Sequence, residues 1–231
     1  MRAAAVIPAG GAGLRRAGAS RAGLRKQYLN VAGEPILLRS IRPFLDHPAI
    51  DWVVVALPPE DVDDPPFPFP EGVVRVAGGA ERGDSVRAGL AAVPGVADVV
   101  LIHDGARPLV TVAIVDRALR AAASGIGAIA AVPVTDTLKV IDDDGAITAT
   151  VDRRDLWRAQ TPQAFPREMI VDAYRRAAEE GVAATDDAAL VERYGGRVVV
   201  VEGDARNLKI TRPEDLGLAE LLLRTNAGAE T

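Results

Sequence analysis

Residues 3–16 read Ala3-Ala4-Ala5-Val6-Ile7-Pro8-Ala9-Gly10-Gly11-Ala12-Gly13-Leu14-Arg15-Arg16. A short apolar run with no polar alternation predicts a strand covered on both faces. It breaks at Pro8 into closely spaced glycines, which let a ligand approach the main chain and can turn successive N–H groups toward an anion. The opening superficially resembles a secretory leader, because Arg2 precedes small apolar residues. Pro8 and the glycines interrupt it before any continuous apolar helix can form. No apolar run approaches the ~18–20 residues that span a bilayer, so the expectation is a cytoplasmic chain without a membrane segment.

Outward from this strand, the pattern alternates. A helical stripe over 35–45 (Ile36, Leu37, Ile41, Phe44, Leu45) precedes the β-branched run 52–57 and a shorter strand at 73–77. Helix 85–93, strand 99–103, helix 111–123 and strand 126–132 continue the rhythm. Such alternation predicts a mostly parallel sheet with helices on both faces. Residues 58–70 carry six prolines and four acids, and are read as an exposed rigid loop within one domain. After Val134 two short strands, 138–141 and 147–151, flank an acidic turn. A lone hairpin is too small to stand by itself, so it must lie on its parent sheet or on another chain. Helices at 166–179, 186–194 and 213–223 and a strand at 197–201 complete the reading.

The chain has 231 residues, 48% apolar and 26% charged, with no cysteine and two histidines. Disulfide scaffolds, thiol nucleophiles and thiolate or multi-histidine metal centres are excluded. The net charge of −5 argues against a nucleic-acid binder. Residues 1–33 nevertheless carry six bases and no acid, leaving −11 for the remainder. A basic pocket in an acidic body suits a small polyanion.

A dinucleotide fingerprint fails here, because Arg16 stands where its third glycine belongs. A P-loop fails as well, since no Gly-Lys-Ser or Gly-Lys-Thr occurs. The glycine turn with its basic flank is read as a triphosphate loop, with a flexible surface loop as the alternative. Among 24 arginines only three lysines occur, at Lys26, Lys139 and Lys209. These mark candidate positions for a compact, mobile ammonium. Asp104 follows a predicted strand end, where it can hold Mg²⁺ against phosphate, and Gly105 permits close approach of a sugar. Its alternative role is to cap the following turn and pair with Arg107.

These residues resemble the start of the 2-C-methyl-D-erythritol 4-phosphate cytidylyltransferase family, in Pro8-Ala9-Gly10-Gly11-Ala12-Gly13-Leu14-Arg15 and Lys26-Gln27-Tyr28-Leu29. The likeness continues through Glu81-Arg82-Gly83-Asp84-Ser85, His103-Asp104-Gly105-Ala106-Arg107-Pro108 and Asp136-Thr137-Leu138-Lys139. Asp152-Arg153, Gln160-Thr161-Pro162-Gln163, Thr185-Asp186-Asp187 and Asn207-Leu208-Lys209 complete it. One departure is Arg25, where the family commonly has proline in Pro-Lys-Gln-Tyr. The loop from Arg16 to Leu24 is another, being longer than usual.

The resemblance implies a single domain, 1–231. Its fold would be a three-layer, mostly parallel Rossmann-like nucleotidyltransferase sheet with 134–155 as a protruding dimerisation arm. It implies transfer of the cytidylyl group of CTP to 2-C-methyl-D-erythritol 4-phosphate with Mg²⁺ as cofactor. Arg15 and Lys26 would hold the triphosphate, while Lys209 and Arg153 would anchor the acceptor phosphate. Pro8, Ala9, Gly10, Gly78, Gly79 and Ser85 would form the base pocket, and Gly11, Gly13, Gly105 and Ala106 would face nucleotide and ribose. Asp104, Arg107, Thr137, Thr161 and Thr185 would complete the acceptor side, Thr137 and Arg153 acting on the partner's site in a homodimer.

His103 is read as structural, because a phosphate monoester is already an anionic nucleophile. Trp157, Phe165 and Tyr174 are read as packing anchors, and 161–163 as a turn. A pentitol-phosphate cytidylyltransferase, a CTP-binding module and, more weakly, an NAD-dependent enzyme are the competing readings.

Overall fold

The structure, a computed structural model, describes residues 1–10, 25–183 and 186–227. The first strand is β1 (Ala3–Pro8), followed by a short helical turn at Lys26–Tyr28 and a small antiparallel pair, β2 (Asn30–Val31) and β3 (Glu34–Pro35). Then come α1 (Ile36–Leu45), β4 (Ile50–Leu57), β5 (Val73–Ala77), α2 (Arg82–Ala92), β6 (Val99–Ile102), α3 (Val112–Ala122) and β7 (Gly127–Pro133). The arm is β8 (Lys139–Ile141) with β9 (Ile147–Thr150). The chain continues as β10 (Trp157–Pro166), α4 (Arg167–Glu180), α5 (Asp187–Arg193), β11 (Val198–Glu202) and α6 (Pro213–Ala227).

Seven strands form the central sheet in the order β11-β7-β10-β6-β1-β4-β5. Only β10 runs antiparallel to its neighbours; the other ladders are parallel. The two faces follow from strand alternation. Ala3, Ala5 and Ile7 of β1 join Leu37, Ile41 and Phe44 of α1 and Ile114, Val115 and Leu119 of α3. Ala4 and Val6 turn the other way, toward Val86 and Leu90 of α2, Ile170 and Tyr174 of α4 and Leu190 of α5. The result is helix, sheet and helix in three layers, as the sequence pattern predicts. A smaller cluster of Val31, Ile36, Leu109, Ile210 and Ala219 fixes α6 beside the β2–β3 pair.

The structure departs most from the sequence pattern at β10, where the pattern predicts packing anchors and a turn at 161–163. It is a ten-residue strand between β6 and β7. Gln160, Thr161, Pro162 and Gln163 hide it, since polar residues and proline speak against a central strand. The register shifts between Ala159 and Gln163, which accommodates the proline. Each buried glutamine is bonded. Gln160 Nε2 donates to the Asp204 carbonyl at 2.8 Å, and Gln163 Oε1 accepts the Ala188 N–H at 2.9 Å. Phe165 and Tyr174 are buried as expected, but Trp157 is 46% exposed in this chain. Helix α2 begins at Arg82, three residues earlier than periodicity suggests, because Glu81 and Asp84 form a reciprocal capping box.

Helix α2 crosses β1 closely at Gly89, where a Cβ would lie 2.4 Å from Val6 Cγ1. Gly89→Ala is therefore expected to destabilise the fold by about 1–3 kcal/mol despite alanine's better helix propensity. Chemical denaturation of the two proteins measures this.

Candidate active site

The parallel strands β1, β4, β5 and β6 end on one side of the sheet, where folds of this kind bind ligands. A cleft of about 160 Å³ opens there. Pro8 and Ala9 line it from the end of β1, Lys26 and Gln27 from the helical turn, and Arg82 and Ser85 from α2. Asp104, Gly105, Ala106 and Lys209 complete the wall. A second cavity of about 320 Å³ shares Arg82, Asp104 and Lys209, and adds Arg107, Gln160, Thr161, Gln163 and Asp186. Two adjoining compartments thus meet at one carboxylate.

That carboxylate is buried beside three cations. Arg82 Nε donates to Asp104 Oδ1 at 2.9 Å, Lys209 Nζ lies 2.8 Å from Oδ2, and Arg107 Nε lies at 3.7 Å. Burial works to raise the carboxyl's pKa, but Arg82, Lys209 and Arg107 together hold it well below the usual carboxylate range. Both sequence readings of Asp104 meet here, since it faces the cavity and also pairs with Arg107.

Arg82 is itself held from behind. Its Nη1 and Nη2 donate to Asp187 Oδ1 and Oδ2 at 2.9 and 2.7 Å, and the Tyr174 hydroxyl donates to Oδ1 at 2.5 Å. Asp187, at the start of α5, is fully buried. Burial and the Asp187 charge both raise the Tyr174 pKa, so the phenol stays protonated as a donor. Nothing local to Arg82 or Asp187 in the sequence marks this pairing. Each stands at a helix start among other charges, and the pair becomes meaningful only when the fold brings them together.

Thr161 and His103 sit beneath Asp104. The Asp104 N–H donates to Thr161 Oγ1 at 3.0 Å, and Thr161 Oγ1 lies 3.0 Å from His103 Nδ1. His103 is fully enclosed, and burial pulls its pKa down to about 3, Asp104 opposing the shift and Arg107 adding to it. It touches Thr161 and lines neither cavity. Arg107 Nη1 donates to the Asn207 carbonyl at 2.7 Å, while its buried Nε has no hydrogen-bond partner.

On the other side, Gln27 Nε2 donates to the Ala9 carbonyl at 2.7 Å and fixes the end of β1 against the turn that carries Lys26. Burial lowers the Lys26 pKa, Lys209 lowers it further, and Asp104 works in the opposite direction. Gly10, Gly78 and Ser85 pack face to face: a Cβ on Gly10 would lie 2.8 Å from Ser85 Oγ and 3.2 Å from Gly78 Cα. Ser85 Oγ accepts the Gly79 N–H at 3.2 Å. The expected base-pocket residues thus gather in one corner.

Gly11, Gly13, Arg15 and Thr185 lie outside the described residues. Thr137 and Arg153 are at the exposed base of the arm and line neither cavity; the Arg153 guanidinium donates to the Thr135 carbonyl. Lys139 also lies on the arm, bonded to Thr150, away from both compartments. Among the described residues, no group of three or more His, Asp or Glu forms an all-protein metal cage, and no helix is long and apolar enough to cross a membrane.

The family model for 2-C-methyl-D-erythritol 4-phosphate cytidylyltransferase matches residues 3–225. The chain is 47% identical to the enzyme of that name from Geobacter metallireducens, over 95% of this chain and 97% of that protein. It is 44% identical to its namesake from Syntrophus aciditrophicus, over 97% of each. The crystal structure of the Thermus thermophilus enzyme of the same name superposes with a TM-score of 0.79 at 37% identity, covering 97% of this chain and 100% of that one.

Arg82 is expected to be a keystone for stability as well as for the site. Arg82→Met leaves Asp187 buried without its bidentate partner, at a cost of about 3–5 kcal/mol. Arg82→Met combined with Asp187→Leu is expected to cost less than the sum of the single changes, which a double-mutant cycle in urea resolves.

Proposed function

This chain belongs to the 2-C-methyl-D-erythritol 4-phosphate cytidylyltransferase family, and we propose that its paired cavities carry out that transfer: CTP and 2-C-methyl-D-erythritol 4-phosphate give 4-diphosphocytidyl-2-C-methyl-D-erythritol and diphosphate. The observation that carries the reading is Asp104, with its three cations, standing where the two compartments meet. The family match favours methylerythritol phosphate over a pentitol phosphate as acceptor, and an enzyme over a CTP-binding module.

In this reaction the acceptor's phosphate oxygen attacks the α-phosphorus of CTP in line, and diphosphate leaves. Two anions must be brought together, so charge neutralisation and alignment do most of the work. Lys26 would hold the triphosphate with Arg15, and Lys209 would turn its ammonium from Asp104 to the acceptor phosphate. Arg107 would add its charge to the acceptor side, where it lines the second cavity with its Nε 3.7 Å from Asp104 Oδ2. Pro8, Ala9, Gly10, Gly78, Gly79 and Ser85 would receive the cytosine, Gly11, Gly13, Gly105 and Ala106 the ribose and phosphates, and Thr161 and Thr185 the acceptor wall.

One carboxylate oxygen, Asp104 Oδ2, would be open to Mg²⁺ once Lys209 turns to the acceptor phosphate. Asp104 is an ionised carboxylate at the cavity junction, and Mg²⁺ typically takes one or two carboxylates and fills its shell with phosphate oxygens and water. Asp104 would hold the ion, which supplies neutralisation of phosphate charge when bound.

The arm supports a homodimer. Ile141 and Ile147 are 60% and 64% exposed, with Leu138, Val140 and Trp157 also open, an apolar surface that a lone two-stranded hairpin does not cover. Through such contacts Thr137 and Arg153 would reach the partner's acceptor pocket. The absence of cysteine agrees with a cytoplasmic setting.

A screen of the four nucleoside triphosphates against methylerythritol, ribitol and hexose phosphates, read by diphosphate release, tests the assignment. Release above background is expected for CTP with methylerythritol phosphate, and preference for another pair overturns it. Lys26→Ala and Lys209→Ala are each expected to lose about 10²–10³-fold in kcat/KM, for ~3–4 kcal/mol of transition-state stabilisation. Division of the pocket between subunits has its own assay. Inactive Arg153→Ala and Lys209→Ala homodimers, mixed and allowed to exchange, are expected to recover about one quarter of wild-type activity. Subunit exchange without recovery would place both side chains in one chain's pocket.

A further inference from the structure

Lys26 is anchored from two directions, and only one of them is the sheet. Gln27 ties the turn to the end of β1. The residues on either side of the Lys26–Gln27 pair meet the connection between β4 and β5. The Arg25 guanidinium pairs with Glu60 and lies 3.7 Å from Asp61. The Tyr28 hydroxyl donates to the same Asp61 carboxylate at 2.7 Å. Behind it, the Tyr28 ring meets Phe67 edge-on at 5.5 Å, and Phe67 packs on Phe69 at 5.3 Å. Val62, Phe67 and Phe69 in turn rest against the core cluster that holds Tyr28. A proline-rich segment that reads as a bare surface loop therefore has an inner side, made to grip this turn.

The backbone shows what the grip maintains. Arg25 stands at φ −69° and ψ 147°, its carbonyl accepting the Tyr28 N–H at 2.9 Å. That φ is the value a proline ring imposes covalently, near −65°. In this chain an ion cluster performs the restraint. The Arg25 side chain is 16% exposed and that of Asp61 20%, so the pair is partly desolvated yet open to salt.

We propose that Asp61 and Arg25 are positioning residues for Lys26: an ionic clamp from the β4–β5 connection fixes the turn from which its ammonium reaches the reacting phosphate. This rests on the reading of Lys26 given above. The lysine stem is flexible, so placement of its charge depends on where the backbone starts it. A displacement of about 1 Å at a reacting group can cost 10²-fold in rate. The clamp also makes turnover sensitive to ionic strength.

The experiment compares wild type with Arg25→Ala, Arg25→Pro, Asp61→Asn and Lys26→Ala. Turnover is measured at saturating substrates from about 0.05 M to about 1 M NaCl, beside the melting midpoint of each protein. Arg25→Ala and Asp61→Asn are expected to lower kcat by about tenfold at low salt, with KM for the acceptor unchanged and the midpoint within about 3 °C of wild type. Wild-type kcat is expected to fall with salt toward the Arg25→Ala value, while Arg25→Ala stays nearly flat. Arg25→Pro, restrained by its ring, is expected to turn over at least about fivefold faster than Arg25→Ala and to be equally flat. Wild-type turnover in Arg25→Ala and Asp61→Asn, or salt profiles parallel to that of wild type, would overturn the clamp. So would a loss of kcat that merely tracks the melting midpoint. Lys26→Ala separates the two levels. If it is inactive while the clamp variants are normal, only the clamp fails; if it turns over like wild type, the assignment of Lys26 falls and the clamp with it.

Discussion

The site is organised around a single buried negative charge. Asp104 is held at the end of β6 with an arginine, a lysine and a second arginine around it. An isolated carboxylate there would be driven to protonate, so the cations are a condition of its charge. Each has its own requirement. Arg82 needs the buried Asp187, which needs Tyr174 and the start of α5; Arg107 needs the Asn207 carbonyl; the Asp104 N–H needs Thr161. Polar residues in β10 and the segment before α6 become intelligible as consequences of that one charge.

The two kinds of cation divide this work. Arg82 and Arg107 have their planar forks committed to fixed partners within the protein, a geometry that suits guanidinium. Lys26 and Lys209 are point charges on flexible stems at the cavity wall. Arginine takes the fixed positions beside Asp104, and two of the chain's three lysines stand at the cavity wall. Lys139, bonded to Thr150 on the arm, has no such place and shows that scarcity alone does not mark a site.

Much of this was legible in the sequence, for identifiable reasons. Strands β1, β4 and β6 are short apolar runs with no alternation, and α3 carries a clean stripe with Thr111 as its cap. Local patterns of that kind survive without knowledge of the fold. Asp104, Lys26 and Lys209 stand out in the sequence because their chemistry and position near strand ends or in a basic segment are unusual in this composition, and the structure brings all three to one cleft. Strand β10 was not legible, because its polar residues are satisfied by Asp204, Ala188 and Asp186, groups at least 23 residues away along the chain. Arg82 with Asp187 was hidden for the same reason, their positions 105 apart along the chain. What sequence conceals here is polarity whose partner is distant.

The position of β10 also imposes an order on synthesis. Strands β1, β4, β5 and β6 can pair among themselves once about residue 102 has emerged from the ribosome. Strand β7 is made next, yet both of its ladders are to strands encoded later, β10 and β11. It must wait, with its buried alanines uncovered, while the arm and then residues 157–166 are translated. Only then can β10 enter antiparallel between β6 and β7 and join the two halves. The growing chain thus contains a paired sheet with one open flank, on which the last strands are received out of sequence order.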